Sequence, residues 1–157
     1  CIRDRNTTPV AEFNIYVDPD AAAIVFNSGA PITMFPLDVT HKALVLPADL
    51  DRIRDIATPV SEAVAGMLDF YERHDTEKYG IAGAPLHDPC VIAYLIDPGL
   101  FSGKACRVDI ETDSELTVGQ TVVDWWGVTG SPPNVMVMSD VDRQGFIDLV
   151  VERIALL

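Results

Sequence analysis

Two short strings hold most of the residues able to do chemistry. Asn6-Thr7-Thr8-Pro9-Val10-Ala11-Glu12-Phe13-Asn14 carries two carboxamides and a carboxylate. Such groups bring paired donors and acceptors, which suit the vicinal hydroxyls of a sugar. Glu12 and Asn14 stand two apart, so an extended backbone would project both to one side. A polar loop whose asparagines bond their own backbone would have the same composition. The second string, Leu86-His87-Asp88-Pro89, sets an imidazole beside a carboxylate at the start of a predicted helix. Histidine titrates near neutrality and can pass a proton to a leaving group, and aspartate is a hard oxygen ligand for calcium or magnesium. The simpler reading is a surface histidine next to Asp88 as a helix N-cap.

Three further groups have the right residue types. Asp38-Val39-Thr40-His41 repeats the acid and the imidazole at a strand end, where open α/β sheets place ligands, although polar caps on a strand fit equally. Asp109, Glu111, Asp113 and Glu115 alternate as a metal array would, but the solvent face of a strand is the commoner cause. Trp125-Trp126 could stack on a ligand, yet a core or interface role is more usual for such a pair.

These residues need elements to hold them. Asp18-Pro19-Asp20 opens a helix that closes at Asn27-Ser28-Gly29, with Asp18 as cap, Pro19 at the first helical position and Gly29 past the last turn. Residues 32–35 and 39–46 read as extended apolar segments. Two helices follow between Pro47 and His74, divided near Thr58-Pro59, and a polar, glycine-containing stretch runs from Asp75 to Pro85. A helix begins at His87-Asp88-Pro89. Residues 104–111, 120–126 and 134–138 are β-like, and residues 140–157 have helical spacing through Phe146, Leu149, Val150, Ile154 and Leu157. This alternation predicts an α/β layered fold with a largely parallel sheet, the later strands antiparallel in part. On it, Asn6, Glu12, Asn14, His41 and His87-Asp88 are expected to converge at one sheet edge.

Bulk composition narrows the partners. With 157 residues the chain has the size of one domain, and 48% hydrophobic with 22% charged residues places it among ordinary globular proteins. A net charge of −13 repels the phosphate backbone, so a nucleic acid polymer is a poor partner. No apolar run reaches the ~20 residues of a membrane span. Three cysteines without a CxxC pair suggest neither a disulfide framework nor zinc, and a reducing, cytoplasmic setting is the default expectation. The start at Cys1, without methionine or a secretory pattern, suggests that a segment upstream was lost or removed.

Taken together, the strings resemble a known family. Asn6-Thr-Thr-Pro-Val-Ala-Glu12-Phe-Asn14-Ile-Tyr-Val-Asp18-Pro-Asp-Ala-Ala, Pro36-Leu-Asp38-Val-Thr-His41-Lys and Gly83-Ala-Pro-Leu-His87-Asp88-Pro-Cys stand in the order and spacing of the inosine-uridine preferring nucleoside hydrolases. So does the tail, from Val108-Asp-Ile-Glu-Thr through Gly119-Gln-Thr-Val-Val-Asp124 to Pro133-Asn134. The resemblance implies an open, mostly parallel sheet with helices on both faces, of which residues 1–157 form a single partial domain, the C-terminal half. It implies calcium-dependent hydrolysis of the N-glycosidic bond of ribonucleosides through an oxocarbenium-like transition state. By it, Asp88 is the calcium ligand from this half, Asn6, Glu12 and Asn14 contact the ribose hydroxyls, His87 stands beside the base as proton donor, and Asp75 and Tyr79 line the base pocket. The family's aspartate-rich motif, which supplies most calcium carboxylates and the water-activating aspartate, does not occur here. The expected partners are therefore a ribonucleoside, the missing N-terminal half and further copies in a dimer or tetramer. The alternatives are a catalytically incomplete fragment that binds nucleoside or ribose, or one that serves only for packing. The family includes purine, pyrimidine and broad-specificity members, which leaves base preference open.

Overall fold

Glu12 begins a short helix where the sequence suggested an extended stretch. In the computed structural model the backbone is described for residues 4–79 and 83–157, and side chains for all of these except 71–79. In chain order the elements are α1 (Phe13–Val17), α2 (Pro19–Phe26), β1 (Ile32–Met34), α3 (Leu37–Thr40), β2 (Leu44–Val45), α4 (Pro47–Asp55), α5 (Pro59–Tyr79), β3 (Ala84–Pro85), α6 (His87–Ile96), a 3-10 turn (Pro98–Leu100), β4 (Phe101–Ile110), β5 (Thr121–Asp124), β6 (Val135–Val141) and α7 (Arg143–Ala155). They gather into two compact units, one formed by the chain up to Val39 with Ser102–Asp140, the other by Thr40–Phe101 with Val141–Leu157.

The first unit is a four-stranded sheet in the order β1-β6-β4-β5 with α1 and α2. β1 runs parallel to β6, and β4 antiparallel to β5, so the α/β architecture is present with a mixed sheet. Alternation decides which face of β4 is buried: Cys106, Val108 and Ile110 pack with Phe26, Val135 and Val137, while Arg107 and Asp109 pair on the other side. Each fully buried aliphatic or aromatic side chain of this core contributes roughly 1.5–3 kcal/mol. Asn134 ties the layers: its Oδ1 accepts from Val108 N at 2.7 Å, and its Nδ2 donates to the carbonyls of Phe26 and Val108. The helix at 19–26 forms as its end signals predict, with Asp18 accepting from Ala21 N and Gly29 at φ +79°.

In the second unit α4 and α5 stand on either side of Ala57, which takes φ +54°. Thr58 and Ser61 cap the start of α5 reciprocally, each hydroxyl accepting the other's N–H. Leu50 and Ile53 of α4, Cys90 and Ala93 of α6, and Phe146 and Ile147 of α7 are buried, with Phe101 set edge-on against Phe146 at 6.2 Å. Among the described residues no helix is long and apolar enough to cross a membrane.

Three local expectations change. The segment 39–46 is not a continuous strand: Pro36 accepts from Val39 N at 3.0 Å and opens the single helical turn of α3, leaving only Leu44–Val45 to pair with β3. The expected loop from Asp75 begins later, because α5 runs on through Glu77, Lys78 and Tyr79. Glu and Lys are good helix formers. Asp88 is not the N-cap of α6, since Leu86 holds that place and Pro89 falls within the first turn, where a missing N–H is harmless.

Candidate functional site

The polar residues of the N-terminal string fold around α1. Glu12 is its N-cap, with Oε2 accepting from Asn14 N at 2.8 Å and Ile15 N at 3.2 Å. Asn6 Oδ1 accepts from Phe13 N at 2.8 Å, and the backbone N–H groups of Asn6, Thr7 and Thr8 converge on Ala11 O. Asn6, Glu12 and Asn14 are thus brought together, but by a cap and a tight turn rather than by alternation along a strand. Asp4 joins them: it accepts from Leu37 N at 3.1 Å and from the Thr121 hydroxyl at 3.2 Å. Desolvation pushes its carboxyl above the ordinary range, and the charges of Glu12 and Asp38 add to the rise against the hydrogen bonds from Leu37 and Thr121. The charges of Glu12 and Asp38 are thus felt at Asp4, and the carboxylates of this corner can accept from several hydroxyl donors.

The imidazoles meet in the second unit. His87 is the first residue of α6, and its Nδ1 lies 2.7 Å from the Thr40 hydroxyl at the end of α3. His41 packs edge-on against it, ring centroids 5.5 Å apart at 61°. Asp88 follows in the first turn of α6 and is exposed. Both line a cleft of about 350 Å³ with Met67, Leu68, Pro85, Leu86 and Pro89, large enough for a nucleobase. A carboxylate at a helix N-terminus is electrostatically favoured there, and Asp88 can offer a hard cation an oxygen ligand. Among the described residues no three His, Cys, Asp or Glu side chains gather closely enough to hold a metal, so the other ligands of a six- to eight-coordinate ion are not in these groups.

The remaining candidates separate. Asp75 and Tyr79 lie in the last turns of α5, and their side chains are outside the described residues. Asp109 pairs with Arg107, and Glu111 accepts from Asp113 N and Ser114 N, which holds its carboxyl below the ordinary value. That alternating acid run is a strand face and a turn, not a metal array. Trp125 packs partly into the core with Lys104 over its ring, and Trp126 is exposed. Asp4 and Thr40 were missed. Asp4 lies between two arginines, where an ion pair is the first thought, and Thr40 stood inside a string of which only Asp38 and His41 were weighed.

The sequence model of the inosine-uridine preferring nucleoside hydrolases matches residues 2–148. The chain belongs to this family. Among nucleoside hydrolases it is 57% identical over 151 residues to the pyrimidine-specific ribonucleoside hydrolase RihA of Shewanella sp. (strain ANA-3), covering 96% of this chain and 48% of that protein. It is as similar to RihA of Salmonella typhi, 57% over 150 residues, with 95% and 48% covered. Among solved nucleoside hydrolases it matches the purine-preferring ribonucleoside hydrolase from Gardnerella vaginalis with a TM-score of 0.82 and 33% identity, over 93% of this chain and 46% of that one. The chain spans about half the length of the curated nucleoside hydrolases it matches.

Proposed function

We propose that this chain acts within a larger enzyme in the calcium-dependent hydrolysis of the N-glycosidic bond of ribonucleosides, with pyrimidine ribonucleosides as the preferred class. The observation that carries the reading is the pair His87 and Asp88, side by side on the wall of an open cleft of about 350 Å³ at the start of α6. The preference for pyrimidines rests on relatives named for it at 57% identity.

In this mechanism Asp88 would supply one carboxylate oxygen to the ion, and its other ligands would come from the rest of the larger enzyme. Bound calcium supplies a fixed positive charge that orders ribose hydroxyls. Asn6, Glu12 and Asn14 bind those hydroxyls; Glu12 keeps one oxygen for this after its other oxygen caps α1. As the bond to the base breaks, positive charge grows on the ribose, and carboxylates and amide dipoles fixed beforehand stabilise it. As water adds to the sugar carbon, its proton passes to a carboxylate base of the larger enzyme, while protonated His87 gives a proton to the departing base and is left neutral. Two surfaces support a need for further chain: the outer edge of β1, which has no partner strand among the described residues, and the exposed Val91, Ile92, Leu95 and Ile96 of α6. A homo-oligomer, dimer or tetramer, belongs to the same reading.

Kinetics of His87→Ala in a full-length or reassembled enzyme test it. Loss of a general acid costs ~10²-fold to 10⁴-fold in turnover of uridine, and much less for p-nitrophenyl riboside, whose leaving group departs without a proton. Equal losses on both substrates would refute the role of His87, and faster turnover of inosine than of uridine would refute the pyrimidine preference.

A further inference from the structure

We infer that the groove between α6 and α7 seats an apolar segment of the larger enzyme, and that seating this segment and binding calcium at Asp88 strengthen one another. This deepens the reading of Asp88 as an ion ligand and rests on it.

The first observation is a helix that is apolar on every side. Cys90 and Ala93 of α6 are buried, yet Val91, Ile92, Leu95 and Ile96 are 44%, 59%, 73% and 47% exposed. A surface helix keeps its apolar residues to one stripe, whereas a helix that is apolar all round is an interior element of a larger body. Four large apolar side chains exposed within two turns also form a patch, beyond the scattered exposure that is normal for a surface.

These side chains do not stand on a flat face. Ile92, Ala93 and Ile96 line one side of a groove of about 380 Å³, and Leu149, Val150 and Ile154 of α7 line the other. Rows spaced i and i+4 receive the side-chain ridge of another helix.

Two observations identify the occupant. The chain covers 48% of a nucleoside hydrolase to which it is 57% identical, so about as much chain again belongs to such an enzyme. Asp88 lines this groove as well as the cleft beside His87, while among the described residues no three His, Cys, Asp or Glu side chains gather to hold a metal. The remaining ligands of an ion that takes about six to eight oxygens therefore approach Asp88 from the rest of the enzyme, and the chain that delivers them meets the groove. A second copy is the poorer occupant, because each copy carries a net charge of −13 and the two repel. With ligands on both sides of the ion, docking brings its partners together and the ion in turn holds the docked segment. Linkage requires the two effects to be equal, and such couplings are typically about 5-fold to 150-fold.

Cysteine labelling in the full-length or reassembled enzyme reads the groove without turnover. Cys90 and Cys106 are buried, and the unsubstituted protein supplies the background. Ile92→Cys should react slowly with calcium bound and roughly 5-fold to 150-fold faster after chelation. Val128→Cys, at a position 85% exposed on the turn after β5, should react alike in both states. Adding Asp88→Asn to Ile92→Cys should abolish the calcium dependence. An Ile92→Cys protein that reacts as fast as Val128→Cys with calcium bound has an uncovered groove and overturns the inference. So does protection that chelation leaves unchanged while calorimetry shows calcium affinity falling in Asp88→Asn; an unaltered affinity in that variant would instead remove the ligand role itself. Should Ile92→Cys fail to fold, hydrogen exchange of the α6 amides in the unsubstituted enzyme decides, with slowing by the same factor expected on adding calcium. In the 157-residue chain alone, labelling of Ile92→Cys should be fast at every concentration. Protection that grows with concentration would assign the groove to a second copy and overturn the inference.

Discussion

Substituting Asp49 should destabilise the protein more than any change at an exposed carboxylate, and the size of the effect follows from its contacts. Asp49 sits in the first turn of α4, 6% exposed, where its Oδ2 accepts from Leu46 N at 3.0 Å and from the Arg143 guanidinium. Arg143 also donates through Nε to Leu44 O at 2.9 Å, so one carboxylate and one guanidinium join α4, β2 and the start of α7. Asp49→Ala removes an N-terminal cap worth about 1 kcal/mol. It also removes a charge-assisted hydrogen bond worth about 1.5–3 kcal/mol. Breaking a fully buried ion pair costs about 3–5 kcal/mol, because the survivor is left unpaired. The Arg143 side chain is 27% exposed and can turn partly toward water, which sets the expectation near the lower end, about 3 kcal/mol. Urea denaturation followed by circular dichroism should show this loss of ΔG, and thermal unfolding a fall in Tm of roughly 6–12 °C for a chain of this size. Arg143→Met made alone and with Asp49→Ala should reveal a coupling above about 1 kcal/mol. A loss below about 1 kcal/mol in Asp49→Ala, or additive effects, would refute the view that this pair holds the second unit together.

Two other outcomes follow from the carboxylates. Asp4 has its carboxyl raised above 3.8, so the folded protein holds that proton more tightly than the unfolded chain. Its contribution is fully favourable below 3.8 and is lost as pH rises through the raised value. Asp4→Asn, which keeps an acceptor for Leu37 N, should flatten this decline in urea midpoints between pH 3 and 7; an unchanged slope would refute the assignment. Asp88→Asn in the reassembled enzyme should weaken calcium binding and turnover together by about tenfold or more, since ligand charge sets affinity for a hard cation. Calorimetry and uridine kinetics check it, and an unaltered calcium affinity would place the ligand elsewhere.

Helices with their own punctuation were legible in the sequence. Asp18-Pro19 and Gly29 bound α2, and Pro47 and Pro59 open α4 and α5, because caps and prolines act locally. α1 and α3 were not, since helices of five and four residues cannot nucleate alone and depend on the Glu12 cap and on Pro36. The same division runs through the candidate site. Asn6, Glu12, Asn14, His87 and Asp88 stood out because their strings match a family in register. The raised carboxyl of Asp4 and the grip of Thr40 on His87 arise from burial and from contacts across 33 and 47 residues, which no local pattern encodes. The mixed sheet was foreseen only in part, since strand direction depends on partners brought together from distant sequence.

The parallel register of β1 with β6 also says something about synthesis. Ile32 pairs with Val135, so about a hundred residues must leave the ribosome before the first strand meets its neighbour. At ~5–20 residues per second, β1 waits roughly 5–20 s without its partner strand. Helix formation takes microseconds, so α2 and the α4–α5 pair can form during that interval while the sheet cannot. Within these residues α2 and the α4–α5 pair therefore precede the β1–β6 pairing, whereas α7, made after β6, follows it. Throughout that wait the β6 side of β1 is unpaired, and this interval is one in which a chaperone has a strand edge to protect.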